Sequence, residues 1–118
     1  HKLLIININK TYKQKKKQKN GIYDRPNIYE ATRGWWVLDP QKAKQVDFVL
    51  SEYKGIVRTI FKPEKWLQNV QERGDKRWGF EGNAVTDEKI LAIYLNKEII
   101  KQKGQANPIR YSFPLFKN

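Results

Sequence analysis

The sequence predicts a small α+β domain, mostly strand, built as a compact barrel or curved sheet with two or three short helices packed at its ends. Two observations lead there. Runs of β-branched and aromatic residues recur between Gly and Pro turn signals, and nowhere do strands and helices alternate regularly as in a parallel α/β fold. The 118 residues, 39% hydrophobic with 13% aromatic, suffice for one ordinary core and are too few for two, so residues 1–118 read as a single domain.

The first element is Leu3-Leu4-Ile5-Ile6-Asn7-Ile8-Asn9, a buried strand by its uninterrupted apolar character. Residues 10–20 hold too little apolar content to bury and read as a lysine-rich flexible loop that ends at Asn20-Gly21. Ile28 to Leu38 is rich in β-branched and aromatic residues and predicts a strand, with Gly34 marking a bulge or a close backbone approach. Asp39-Pro40 is a helix start, an N-cap followed by proline at the first helical position, for a helix of about two turns.

Phe48–Tyr53 and Ile56–Phe61 flank Lys54-Gly55 and predict a hairpin. Pro63 is expected to stop its second strand, Glu64 to Leu67 to form one turn presenting Trp66, and Gln68 to Lys76 to be a loop. Arg77–Glu81 resumes the sheet, with Trp78 and Phe80 on one face. Thr86 is expected to cap a helix carrying Ile90, Leu91, Tyr94 and Leu95 as its apolar stripe, running as far as Lys101 unless Asn96 divides it. Ile109–Phe113 makes the last strand.

The net charge is +12, from 24 basic and 12 acidic residues, and favours a polyanionic partner, because each Lys or Arg laid on a phosphate releases condensed counterions. Lys10, Lys13, Lys15, Lys16, Lys17 and Lys19 supply half of that surplus, and the rest of the chain is basic in its own right. Lys13, Lys15, Lys16 and Lys17 are the expected phosphate contacts. The competing interpretation is a solvated surface.

Cysteine is absent and His1 is the one histidine, which excludes disulfides, thiolate and Ser-His-Asp catalysis, and ordinary zinc sites. No metal and no cofactor are expected. His1 and the lack of methionine suggest a tag remnant or a chain cut from a longer one. No apolar run approaches the ~20 residues of a membrane span, so a cytoplasmic protein without membrane contact is expected.

Tyr29-Glu30-Ala31-Thr32-Arg33-Gly34-Trp35-Trp36, the Lys42-Ala43 helix, Gly55-Ile56-Val57, Arg77-Trp78-Gly79-Phe80-Glu81-Gly82 and Asn107-Pro108-Ile109-Arg110-Tyr111 resemble a PUA-like group of bacterial domains, relatives of the ASCH, EVE, YTH and SRA domains. The resemblance spans roughly residues 28 to 112. It implies a pseudo-barrel of five to six strands whose concave face reads RNA or modified bases, often in an aromatic pocket. EVE-like and SRA-like modules are often joined to restriction nucleases, which implies an attached effector as a second partner. The lysine-rich stretch is no hallmark of the group.

Trp35 and Trp36 carry the sharpest site argument. Adjacent residues on a regular strand face opposite ways, so if one packs inward the other meets solvent, a helix or a ligand. An exposed tryptophan beside Arg33 and Arg77 offers a base a stacking platform next to phosphate-binding charge. The expected base pocket is Arg33, Trp35, Trp36, Trp66, Arg77, Trp78 and Arg110, the arginines supplying planar forks for phosphate or base edges. The alternatives stay open: Trp36, Trp66 and Trp78 as core, and the arginines paired with Glu30 or Glu81.

Nucleic-acid binding, with a modified or flipped base held against tryptophan, is the expected function. One rival is an ASCH-type amidohydrolase acting on a modified nucleoside, for which Glu30 and Thr32 would share a strand face. The other is a protein-interaction domain.

Overall fold

Leu3, Leu4, Ile5 and Ile6 are all buried because the strand they form is covered on both faces. Leu4 and Ile6 join one apolar cluster with Val49, Phe61 and Phe80, while Leu3 and Ile5 join another with Leu50, Val57 and Ile60. The computed structural model describes residues 1–12, 27–70, 72, 74–100 and 107–111. Its elements are β1 (Leu3–Asn7), α1 (Ile28–Arg33), α2 (Pro40–Ala43), β2 (Phe48–Tyr53), β3 (Ile56–Val70), β4 (Lys76–Ala84), α3 (Glu88–Tyr94) and β5 (Ile109–Tyr111).

The strands form one five-stranded mixed sheet in the order β4-β3-β2-β1-β5. β1 and β2 run parallel, with Leu3 opposite Phe48 and Asn7 opposite Glu52, and the other neighbours are antiparallel. A parallel pair needs a crossover, which α1 and α2 lie on. The fold is therefore α+β, as expected. The barrel is not seen: β4 and β5 are separate edges, and the sheet is open among the described residues. Its central strands bury two faces, against Ile28, Tyr29 and Ala31 of α1 on one side and Ile90, Leu91 and Tyr94 of α3 on the other.

Residues 28–33 are helical where a strand was expected. The Asn27 side chain accepts a hydrogen bond from the Glu30 N–H (2.8 Å), an N-cap that outweighs the local β propensity. Asp39 caps α2 by accepting from the Gln41 N–H, and Pro40 occupies the first turn, as expected, although α2 has only four residues. Lys54 (φ 52°) and Gly55 (φ 81°) turn the β2–β3 hairpin, both in the left-handed region that two-residue hairpins favour.

Pro63 does not end β3. The strand runs for 15 residues, and the ladder to β4 changes register between Pro63 and Lys65, where a residue without an N–H is tolerated. Pairing then resumes with Lys65 opposite Glu81 and runs to Val70 opposite Lys76, so neither the expected turn at Glu64–Leu67 nor a loop starting at Gln68 forms. α3 is capped by Asp87 rather than Thr86 and ends at Tyr94 instead of reaching Lys101, with Asn96 in the left-handed region (φ 62°). The N–H of Asn96 then donates to the Val57 carbonyl, and Glu98 bridges to Ile56.

Candidate nucleic-acid interface

Three groups from the segment following Asn27 line the outer edge of β4. Trp36 exchanges both backbone hydrogen bonds with Trp78 (2.8 Å each). Arg33 Nε donates to the Phe80 carbonyl (3.4 Å), and the Gly82 N–H donates to the Tyr29 hydroxyl (3.3 Å). The indole of Trp36 is buried in the core and anchors the segment, its Nε1 donating to the Thr32 carbonyl at 2.8 Å.

With Trp36 inward, Trp35 turns outward and is 39% exposed. Its ring lies against the backbone of Gly79, where a Cβ would stand 3.0 Å from ring atoms Cε3 and Cζ3 and 2.6 Å from the Arg33 carbonyl oxygen. Only glycine permits this approach. Around the ring opens a notch of about 90 Å³ lined by Glu30, Arg33, Gly34, Trp35 and Gly79. The Arg33 guanidinium sits 5.6 Å from the Tyr29 ring centroid, and its Nη1 is 3.7 Å from Glu30 Oε2. Both charged side chains are partly exposed, so this pair is held weakly.

The seven expected pocket residues do not form one pocket. Arg33 and Trp35 meet in the notch. Arg77 shares with Gly79 the face of β4 on which Trp35 lies, two residues along the strand and opposite Asn69. Trp66 and Trp78 belong to the other face with Phe80, Trp66 packing on Phe80 at 5.5 Å between ring centroids. Trp36 is core. Trp35 and Trp36 thus face opposite ways, and Trp66 and Trp78 are half-buried on the face of β4 away from Trp35.

Arg110 lies far from the notch, on β5, where it forms an ion pair with Glu52 across β1. Glu52 is wholly buried, and its second oxygen has no hydrogen-bond partner among the described residues. This pairing, and that of Arg33 with Glu30, gives two of the three arginines a structural partner. Lys13, Lys15, Lys16 and Lys17 lie outside the described residues.

Most of the surplus charge is also there. The stretch 13–26 holds Lys13, Lys15, Lys16, Lys17, Lys19 and Arg25 against Asp24 alone, and Lys101, Lys103 and Lys117 meet no acid after residue 100. Of the residues lining the notch, Glu30 and Arg33 are the charged ones, and their charges offset each other.

Glu30 and Thr32 do not share a face as they would on a strand. Two positions apart on α1 they point differently: Glu30 is exposed, whereas Thr32 is buried with its hydroxyl donating to the Ile28 carbonyl (2.6 Å). The constellation expected for an amidohydrolase is therefore not assembled. Sequence reasoning had Glu30 only as an ion-pair or catalytic candidate and passed over Gly79. The spacing of Asn27 and Glu30 was the available signal, since a cap residue followed by Glu three positions later marks a helix start. Among the described residues no group of three or more His, Cys, Asp or Glu could hold a metal, and no helix is long and apolar enough to cross a membrane.

No family model matches the chain, and no curated protein or solved structure is significantly similar to it.

Proposed function

We propose that this protein is a single-strand nucleic-acid-binding module that stacks a base on Trp35 and draws its ligand in through the basic stretches of the chain. The observation that carries this reading is a tryptophan, 39% exposed and packed against the Gly79 backbone, in a notch that Arg33 also lines. A large aromatic ring partly open to solvent is a ready stacking surface; stacking of one base on such a ring is worth ~1–3 kcal/mol and tolerates any sequence. Arg33 supplies a planar fork for a phosphate or a base edge. Lys13, Lys15, Lys16 and Lys17 supply charge that acts at longer range and is screened by salt. The PUA-like motifs of residues 28 to 112 favour the same reading, and with it a module that delivers an attached effector.

The test is fluorescence anisotropy with labelled ten-nucleotide DNA and RNA strands across a salt series, on the wild type and Trp35→Ala. Binding that weakens steeply with salt, and a loss of roughly tenfold at every salt concentration in Trp35→Ala, is the expected result. Equal affinities of the two proteins would remove Trp35 from the interface and leave charge alone. No binding at low salt would overturn the reading.

A further inference from the structure

We infer that Glu30 makes the Trp35 notch selective for guanine, an inference that rests on the stacking role proposed for Trp35. The notch contains one carboxylate and one guanidinium, Glu30 and Arg33, on successive turns of the same helix with Trp35 as the floor beside them. A phosphate site would gain from Arg33 and lose from Glu30, since a carboxylate repels a phosphate. The acid therefore needs a ligand that offers donors.

Among the four bases, guanine alone presents two adjacent donors, N1–H and the N2 amino group, to a carboxylate, and carries on the same ring system two acceptors, O6 and N7, that match an arginine fork. Adenine and cytosine each set an acceptor beside their amino donor, and uracil or thymine flanks a single donor with two acceptors. Facing both oxygens of a carboxylate, adenine, uracil and thymine leave a lone pair against a negative charge, and cytosine offers one donor where guanine offers two. A stacked guanine satisfies Glu30 and Arg33 together, and single-stranded bases are the ones whose Watson–Crick and Hoogsteen edges are both open to side chains.

The exposure of the two side chains supports this. Glu30 is 51% exposed and Arg33 31%, and their mutual contact is a single one at 3.7 Å, so separating them to admit a base edge breaks little. The helix that carries them is anchored elsewhere, by the Asn27 cap, by Ala31 and Thr32 in the core, and by Trp36. Glu30, on the outward side of this helix, can thus turn to a ligand without loosening the fold, while Arg33 keeps its bond to the Phe80 carbonyl.

The experiment compares oligo-dT and oligo-U strands with the same strands carrying one central guanine, adenine or cytosine, bound to the full 118-residue chain and to Glu30→Gln, with circular dichroism confirming that the variant folds. Wild type is expected to prefer the guanine strand by roughly tenfold, in DNA, RNA or both, and the ratio is expected to fall toward one in Glu30→Gln. Equal binding of all strands by wild type, with Trp35→Ala still weakened, would overturn guanine selectivity and leave the stacking reading standing. A guanine preference that survives in Glu30→Gln would also overturn the role of Glu30. Failure of every strand to bind would remove both.

Discussion

The centre of the sheet and the rim of β4 are built from the same strand chemistry to opposite ends. Along β1 and β2 both faces are covered, every side chain from Leu3 to Ile6 is buried, and even the charged Glu52 is sealed in with Arg110. At the rim, one face of β4 carries Phe80 into the core while the other bears Gly79 and the exposed ring of Trp35. Burial on two sides gives stability and leaves nothing for a partner to touch. Burial on one side leaves a surface that can be shaped for recognition, at the expense of local stability.

The largest expected effect breaks the centre. Arg110→Ala leaves the Glu52 carboxylate buried and unpaired and should destabilise the fold by about 3–5 kcal/mol in urea titration, whereas replacing both partners by leucine should be far milder. A loss under about 1 kcal/mol in Arg110→Ala would mean that the pair is solvated and the two regions are less different than described.

The two adjacent tryptophans carry the comparison within a single dipeptide. Trp36→Ala removes a buried ring and is expected to lose about 3–5 kcal/mol, while Trp35→Ala should stay within roughly 0.5–1 kcal/mol in the same titration. Similar losses for both would erase the distinction between anchor and platform. Gly79→Ala is intermediate. Its methyl group meets the Arg33 carbonyl and the Trp35 ring, so a loss of about 1–3 kcal/mol and a shifted tryptophan emission are expected.

The smallest effect is a dependence on pH at the other edge of the sheet. The Tyr111 hydroxyl is pushed up to about 12, first by burial and then by the Asp39 carboxylate. The folded state holds this proton more tightly than the unfolded chain does. Its share of stability is whole below about pH 10 and is lost as the pH rises through about 12. Tyr111→Phe should flatten the fall in thermal midpoint over that window; an unchanged slope would place Tyr111 in solvent.

How much of this was legible in the sequence depended on whether the signal was local. The Lys54-Gly55 turn, the Asp39-Pro40 helix start and the apolar β1 run each carry their cause within a few residues, and each lies where expected. Residues 28–33 were misread because β-branched and aromatic content spoke louder than one cap; Asn27 and Glu30 together held the correcting signal. Pro63 was misread because proline does end most strands, and the bulge at Glu64 that lets β3 continue shows only in its pairing with β4. The opposition of Trp35 and Trp36 was legible as a logical pair, but which of them faces outward was not. That depends on Gly79, forty-odd residues away, leaving room for one ring and not for a side chain of its own.

The cover that Tyr29, Arg33 and Trp36 lay along β4 has a consequence for solubility. A strand edge with open N–H and C=O groups is a template for pairing with another molecule, and here the segment that displays the Trp35 platform is also the guard on that edge. When heat or mild denaturant lifts this segment, neighbouring copies gain a strand to add to, so the first casualty is dispersal in solution rather than the core. Under the stacking role proposed for Trp35, an oligonucleotide would hold the guard in place and is expected to delay the onset of aggregation by more than its effect on the global unfolding midpoint.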